Sequence, residues 1–98
     1  MPFQLILRDR AVDEIQNAYS WYEMHVQGLG DRFLNTIQNY LAKIQENPNY
    51  FKKTYKEFHE VYIRKFPFVI IYYFDKKNRK IVIISVFHAS RNPENKFL

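Results

Sequence analysis

The chain has 98 residues, 47% of them hydrophobic and 18% aromatic, with a net charge of +5; that supplies one modest core and leaves no room for two. The absence of cysteine excludes disulfides and thiolate metal sites, and the longest apolar runs, residues 69–74 and 81–87, are too short to span a bilayer. Charges follow directly on Met1–Leu7, so the N-terminus does not read as a secretory leader, and the expectation is one cytoplasmic domain over residues 1–98.

Charge is unevenly placed. Residues 1–49 hold four Lys/Arg against six acids, a net of −2, whereas residues 50–98 hold eleven against four, a net of +7. A basic half predicts an anionic partner such as nucleic acid, the ribosome or an acidic protein segment; the alternative is a solvated surface that keeps the chain soluble.

Taken in order, Phe3, Leu5 and Leu7 alternate with their neighbours and predict a short strand over 2–7. Asp9 is placed to cap a helix. Val12, Ile15, Ala18, Tyr19, Tyr22 and Val26 then recur at helical spacing and predict an amphipathic helix over 9–25. Both glycines of the chain, Gly28 and Gly30, fall in the break that follows. A second helix carries Phe33, Leu34, Ile37, Leu41 and Ile44 on one face and stops at Asn47-Pro48, where proline cannot continue the ladder. A short turn between two helices makes an antiparallel hairpin.

Beyond Pro48 the pattern becomes β-branched and aromatic. Strands are predicted over 61–66, 68–74 and 80–88, with a further short one near 51–55. Pro67 belongs at an edge, a bulge or the intervening turn, and residues 75–79 form the last turn. The apolar runs 69–74 and 81–84 predict central strands buried on both faces. The fold class is α+β: an N-terminal strand and an antiparallel helical hairpin packed on a small, mainly antiparallel sheet of three to five strands.

His25, His59 and His88 are isolated from one another and from carboxylates at ligand spacing, so no metal site is predicted. Phosphate loops and serine elbows are absent from the sequence, and no cofactor is expected. The basic half offers more. Arg64, Lys65, His88, Arg91 and Lys96 come from strands and strand ends that a small antiparallel sheet brings together, interleaved with Tyr55, Tyr62, Phe66, Phe87 and Phe97. Cations suit phosphates, aromatic faces stack on bases or fill a protein pocket, and histidine titrates near neutrality as a general acid or base. The competing reading makes the aromatics core, His88 structural, and Lys52, Lys53, Lys56, Lys76, Lys77 and Lys80 solvated edge charges. Trp21 and Tyr22, beside Tyr19, are expected to pack on the sheet; exposed, they would mark a partner interface.

The order of strand, helical hairpin ending in Asn47-Pro48, the stretch Arg64-Lys-Phe-Pro-Phe-Val-Ile-Ile-Tyr72, and a strand closing in His88-Ala-Ser-Arg-Asn-Pro93 resembles the RelE/ParE toxin superfamily over essentially the whole chain. The resemblance implies a toxin of a type II toxin–antitoxin (plasmid stabilisation) pair, held inactive by a cognate antitoxin that wraps the hairpin and sheet. The Phe-Pro-Phe and His-x-x-Arg-x-Pro pieces look like the ParE branch, whose members act on DNA gyrase without being enzymes. By that resemblance Arg64, Lys65, Phe66, His88, Arg91, Lys96 and Phe97 are the expected target- or antitoxin-binding residues. The RelE-like branch cleaves mRNA on the ribosome. It commonly carries an arginine where this chain has Val69, and a tyrosine or His-Tyr pair near an end that here reads Lys96-Phe97-Leu98. On that alternative His88 is the acid/base and Arg64 and Arg91 hold phosphate. A third reading keeps the fold and antitoxin binding without activity. A homodimer or a toxin–antitoxin hetero-oligomer fits any of the three.

Overall fold

Seven elements make up the computed structural model, which describes residues 3–89: β1 Gln4–Leu7, α1 Asp9–His25, α2 Leu29–Glu46, β2 Lys53–Tyr55, β3 Phe58–Tyr62, β4 Phe68–Asp75 and β5 Lys80–His88. The strands form one sheet in the order β1-β5-β4-β3-β2. β1 lies parallel to β5, and the other pairings are antiparallel. Arg91, Lys96 and Phe97 lie outside the described residues. Among those described, no helix is long and apolar enough to cross a membrane.

The hairpin forms where its glycines allow it. Gly28 has φ +85°, a left-handed conformation that costs glycine little. Gly30 sits where α2 crosses α1 so closely that a Cβ would lie 2.8 Å from the Tyr19 carbonyl oxygen. The first amide groups of α2 lack helical partners, and the Glu23 carboxylate takes two of them, accepting from the Gly28 and Gly30 N–H groups at 2.9 Å each. At the start of α1, Arg8 occupies the cap position and Asp9 is the first helical residue. Asp9 was expected one position earlier; its carboxylate still faces the positive end of the helix dipole.

On α2, Phe33, Ile37, Leu41 and Ile44 are buried as their spacing predicts. They meet Ile70, Tyr72, Ile81, Ile83 and Val86 from the helix side of the sheet. The segment after α2 is tied down by two polar contacts inside this core. The Tyr72 hydroxyl donates to the Pro48 carbonyl at 2.7 Å. His59, 2% exposed, stacks on the Tyr72 ring at 4.5 Å and donates from Nδ1 to the Phe51 carbonyl at 2.6 Å. Burial depresses the His59 pKa and raises that of Tyr72, so both stay neutral near pH 7.

Two strand boundaries differ from expectation. β3 covers Phe58–Tyr62, not 61–66. The Ile63 N–H bonds to the Phe68 carbonyl at 3.0 Å and the Phe68 N–H to the Phe66 carbonyl at 2.7 Å, which folds 63–67 into a tight loop around Pro67. The strand expected near 51–55 is β2, Lys53–Tyr55. β5 carries an irregularity: Ile71 pairs with Ser85 but Tyr72 pairs with Ile83, so Ile84 is the extra residue of a bulge. Phe68, Ile70, Tyr72 and Phe74 therefore share the helix side with His88, Val86, Ile83 and Ile81. Val69, Ile71 and Phe87 form a second cluster on the outer face, with Phe58 and Ile84 against it.

Candidate functional site

β1 ends too early to cover β5. Its pairing stops at Leu7 opposite Ile83, and the Arg8 N–H to Ile83 carbonyl bond, 3.0 Å, closes it. Beyond that point α1 takes over. The Oε1 atom of Glu14 accepts from the Ser85 hydroxyl at 2.7 Å and from the Val86 N–H at 2.9 Å. Its Oε2 lies 3.5 Å from Nε of Arg10. One carboxylate thus replaces a missing strand and pins the helix to the sheet edge.

Past Glu14 the helix and the end of β5 diverge. Between them opens a cleft of about 690 Å³, lined on one side by Arg10, Glu14, Asn17, Ala18, Trp21 and Tyr22, and on the other by Pro67, Phe68, Val86, Phe87 and His88. Its floor is apolar. Tyr22 lies edge-on to Phe66 at 5.0 Å and contacts Phe33 and Phe68; burial raises its hydroxyl pKa. Trp21, expected to pack on the sheet, is instead 53% exposed. The physical reason is rotation: Ala18 and Tyr22 occupy the sheet-facing stripe, and Trp21 is one residue, about 100°, away. Its ring stacks on His25 at 3.9 Å, whose Nδ1 lies 2.7 Å from the Trp21 carbonyl oxygen. His88 stands half-buried at the mouth with its ring edge-on to Phe68 at 5.3 Å. The bulge at Ile84 sets the side on which it emerges.

The residues grouped from sequence divide between two places. Arg64 and Lys65 are exposed on the 63–67 loop and line a separate hollow of about 280 Å³ with Thr36, Asn39, Tyr40 and Lys43 of α2. Lys43 there sits over the Tyr40 ring at 5.7 Å. Phe66, expected on a binding surface, is 7% exposed and packs edge-on against Phe33 at 5.3 Å; the loop turns it inward because Pro67 and the two loop hydrogen bonds fix its direction. Phe87 is likewise buried, while Tyr55 and Tyr62 are exposed on the outer face. Sequence reasoning missed Arg10, Glu14 and Asn17. The signal for them was their recurrence with Trp21 at helical spacing, a polar stripe beside the apolar one. Among the described residues no group of three or more His, Cys, Asp or Glu is placed to hold a metal ion.

The family model described as the ParE toxin of the type II toxin–antitoxin system parDE matches residues 5–93. No curated protein sequence matches this chain. Among solved structures, a chromosomal ParDE toxin–antitoxin system from P. aeruginosa is similar with TM-score 0.71 at 13% identity, covering 88% of this chain and 95% of that one. The isolated RelE toxin of E. coli is similar with TM-score 0.69 at 17% identity, covering 94% and 89%. The RelBE2 toxin–antitoxin complex of Mycobacterium tuberculosis gives TM-score 0.65 at 15% identity, covering 90% and 99%. At these identities the likeness is one of fold: a helical hairpin on a five-stranded mixed sheet.

Proposed function

The chain belongs to the ParE toxin family of type II toxin–antitoxin systems, and from that membership we propose that it inhibits growth by binding a cellular target, DNA gyrase on the ParE reading, and is held inactive by a cognate antitoxin. The supporting observation is the cleft between α1 and β5. It offers a protein segment an exposed indole, an apolar floor and a polar rim of Arg10, Glu14 and Asn17, the composition of an interface hot spot. Expressed alone, the chain should arrest growth with transcripts intact, and the purified protein should inhibit gyrase supercoiling. Trp21→Ala should weaken antitoxin binding by at least about tenfold, the loss typical of a truncated hot-spot aromatic. Unimpaired antitoxin binding in that variant would remove the cleft from the reading.

A RelE-like ribonuclease is the second reading. It is favoured by one feature: Arg10 and His88 line the same cleft, a cation for phosphate beside an imidazole of the kind that serves as general acid or base. It requires translated mRNA to be cut on induction and the cutting to vanish in His88→Ala. A tight antitoxin complex without growth arrest would point to a chain that has kept binding and lost activity.

A further inference from the structure

Trp21 is the aromatic anchor of the cleft, yet it is 53% exposed and stands off the sheet-facing stripe of α1. An exposed side chain hops between rotamers in picoseconds to nanoseconds, and a partner that seats it must stop that motion. Stopping one such side chain lowers affinity about two- to tenfold. Two neighbouring rings restrict the indole before any partner arrives. Tyr22 stands edge-on to it at 5.3 Å. His25 stacks on its face, with centroids 3.9 Å apart and planes 26° from parallel.

His25 is itself held. Four residues on from Trp21, it is a neighbour on the helix surface, and helical side chains lean back over the preceding turn, which carries the imidazole onto the indole. Its Nδ1 lies 2.7 Å from the Trp21 carbonyl oxygen. A carbonyl only accepts, so Nδ1 carries the proton, and the ring is tied to the very backbone that bears Trp21. The end of α1 beneath it is stiff. The Val26 N–H reaches the Tyr22 carbonyl at 3.0 Å, and the Glu23 carboxylate binds the Gly28 and Gly30 N–H groups of the turn that follows. His25 is the last residue of α1 and is not part of the cleft lining.

We infer that His25 is a positioning residue for the cleft: its bonded imidazole holds the Trp21 indole in the orientation that a partner segment meets. The inference rests on the proposed antitoxin-binding role of the cleft and adds to it a residue that the partner need not touch. A histidine in the last turn of a helix has a simpler use, which is to bond a terminal carbonyl and complement the helix dipole. That use needs the N–H and not the ring, so the two roles separate by substitution.

Trp21 is the only tryptophan of the chain, so its fluorescence reports on this one ring. Time-resolved anisotropy of the full chain should show little fast indole motion in the parent. His25→Phe, which keeps a ring to stack, should behave alike, and a fast component should appear in His25→Ala and in His25→Asn, which keeps a donor for the carbonyl. Affinity for the purified cognate antitoxin, measured by calorimetry, should follow: about two- to tenfold weaker with Ala or Asn, near parental with Phe. His25 is exposed, so circular dichroism should find all three variants folded. Equal indole motion in the parent and His25→Ala would overturn the inference. So would rescue by Asn and not by Phe, which would leave capping as the whole role. Parental antitoxin affinity in His25→Ala, where Trp21→Ala weakens binding, would overturn it as well. Unchanged binding in Trp21→Ala itself would remove the cleft reading and the binding role of His25 together, while the anisotropy would still tell whether the imidazole holds the indole.

Discussion

Glu14 is the side chain on which the α1–β5 junction depends, and Glu14→Ala tests that claim. The substitution removes two hydrogen bonds to an ionised acceptor, from the Ser85 hydroxyl at 2.7 Å and the Val86 N–H at 2.9 Å. Bonds of this kind contribute about 1.5–3 kcal/mol each, and an abandoned buried donor adds its own desolvation cost. Ser85 and Val86 are both 0% exposed, but the adjoining cleft admits water, which restores part of the loss. The net expectation is about 2–4 kcal/mol, or roughly 10–25 °C in Tm for a domain of this size. Glu14→Gln keeps an acceptor oxygen at the same place and gives up only the charge and the Arg10 contact, so it should cost about 0.5–1.5 kcal/mol. Chemical denaturation of parent, Glu14→Ala, Ser85→Ala and the double variant closes a cycle whose coupling energy should reach about 0.5–3 kcal/mol. A Glu14→Ala protein within about 0.5 kcal/mol of the parent, the scatter of ordinary surface changes, would refute the reasoning. So would Gln faring no better than Ala, because acceptor geometry would then be irrelevant.

Other expectations follow from the same contacts. Gly30→Ala forces a Cβ to 2.8 Å from the Tyr19 carbonyl oxygen and should destabilise by about 1–3 kcal/mol through overpacking; Gly28→Ala has open space but φ +85° and should cost about 1–2 kcal/mol of backbone strain. Denaturant midpoints compare the two. His59 has a pKa lowered chiefly by desolvation, with nearby Lys53 acting the same way and the Phe51 carbonyl and Glu57 opposing. Its unfolded form protonates first as pH falls, so the stability it contributes is complete above about pH 6.5. That stability is then lost toward the lower folded pKa at up to about 1.4 kcal/mol per pH unit. Tm measured from pH 7.5 downward should show this decline, and His59→Gln, which keeps a donor for Phe51, should lack it. Tyr72→Phe leaves the Pro48 carbonyl without its 2.7 Å donor and should cost about 1–2 kcal/mol, read by urea unfolding.

How far the sequence speaks depends on whether a feature is local. The helices were legible because Phe33, Ile37, Leu41 and Ile44 repeat at the helical period and are the residues found buried. β4 and β5 were legible as apolar runs. β3 was placed late because His59 and Glu60 look like a polar break; only the stacking on Tyr72 and the bond to Phe51 make a histidine a core residue there. The bulge at Ile84 was invisible for the opposite reason. Every residue from Ile81 to Ile84 is apolar, so no alternation marks the extra residue, and the face on which His88 emerges could not be counted out. Phe66 illustrates the same limit. An aromatic flanked by Lys65 and Pro67 reads as a surface anchor until the loop hydrogen bonds turn it into the core. Glu14 looked like any solvated helix acid, since its partners are 71 and 72 residues away.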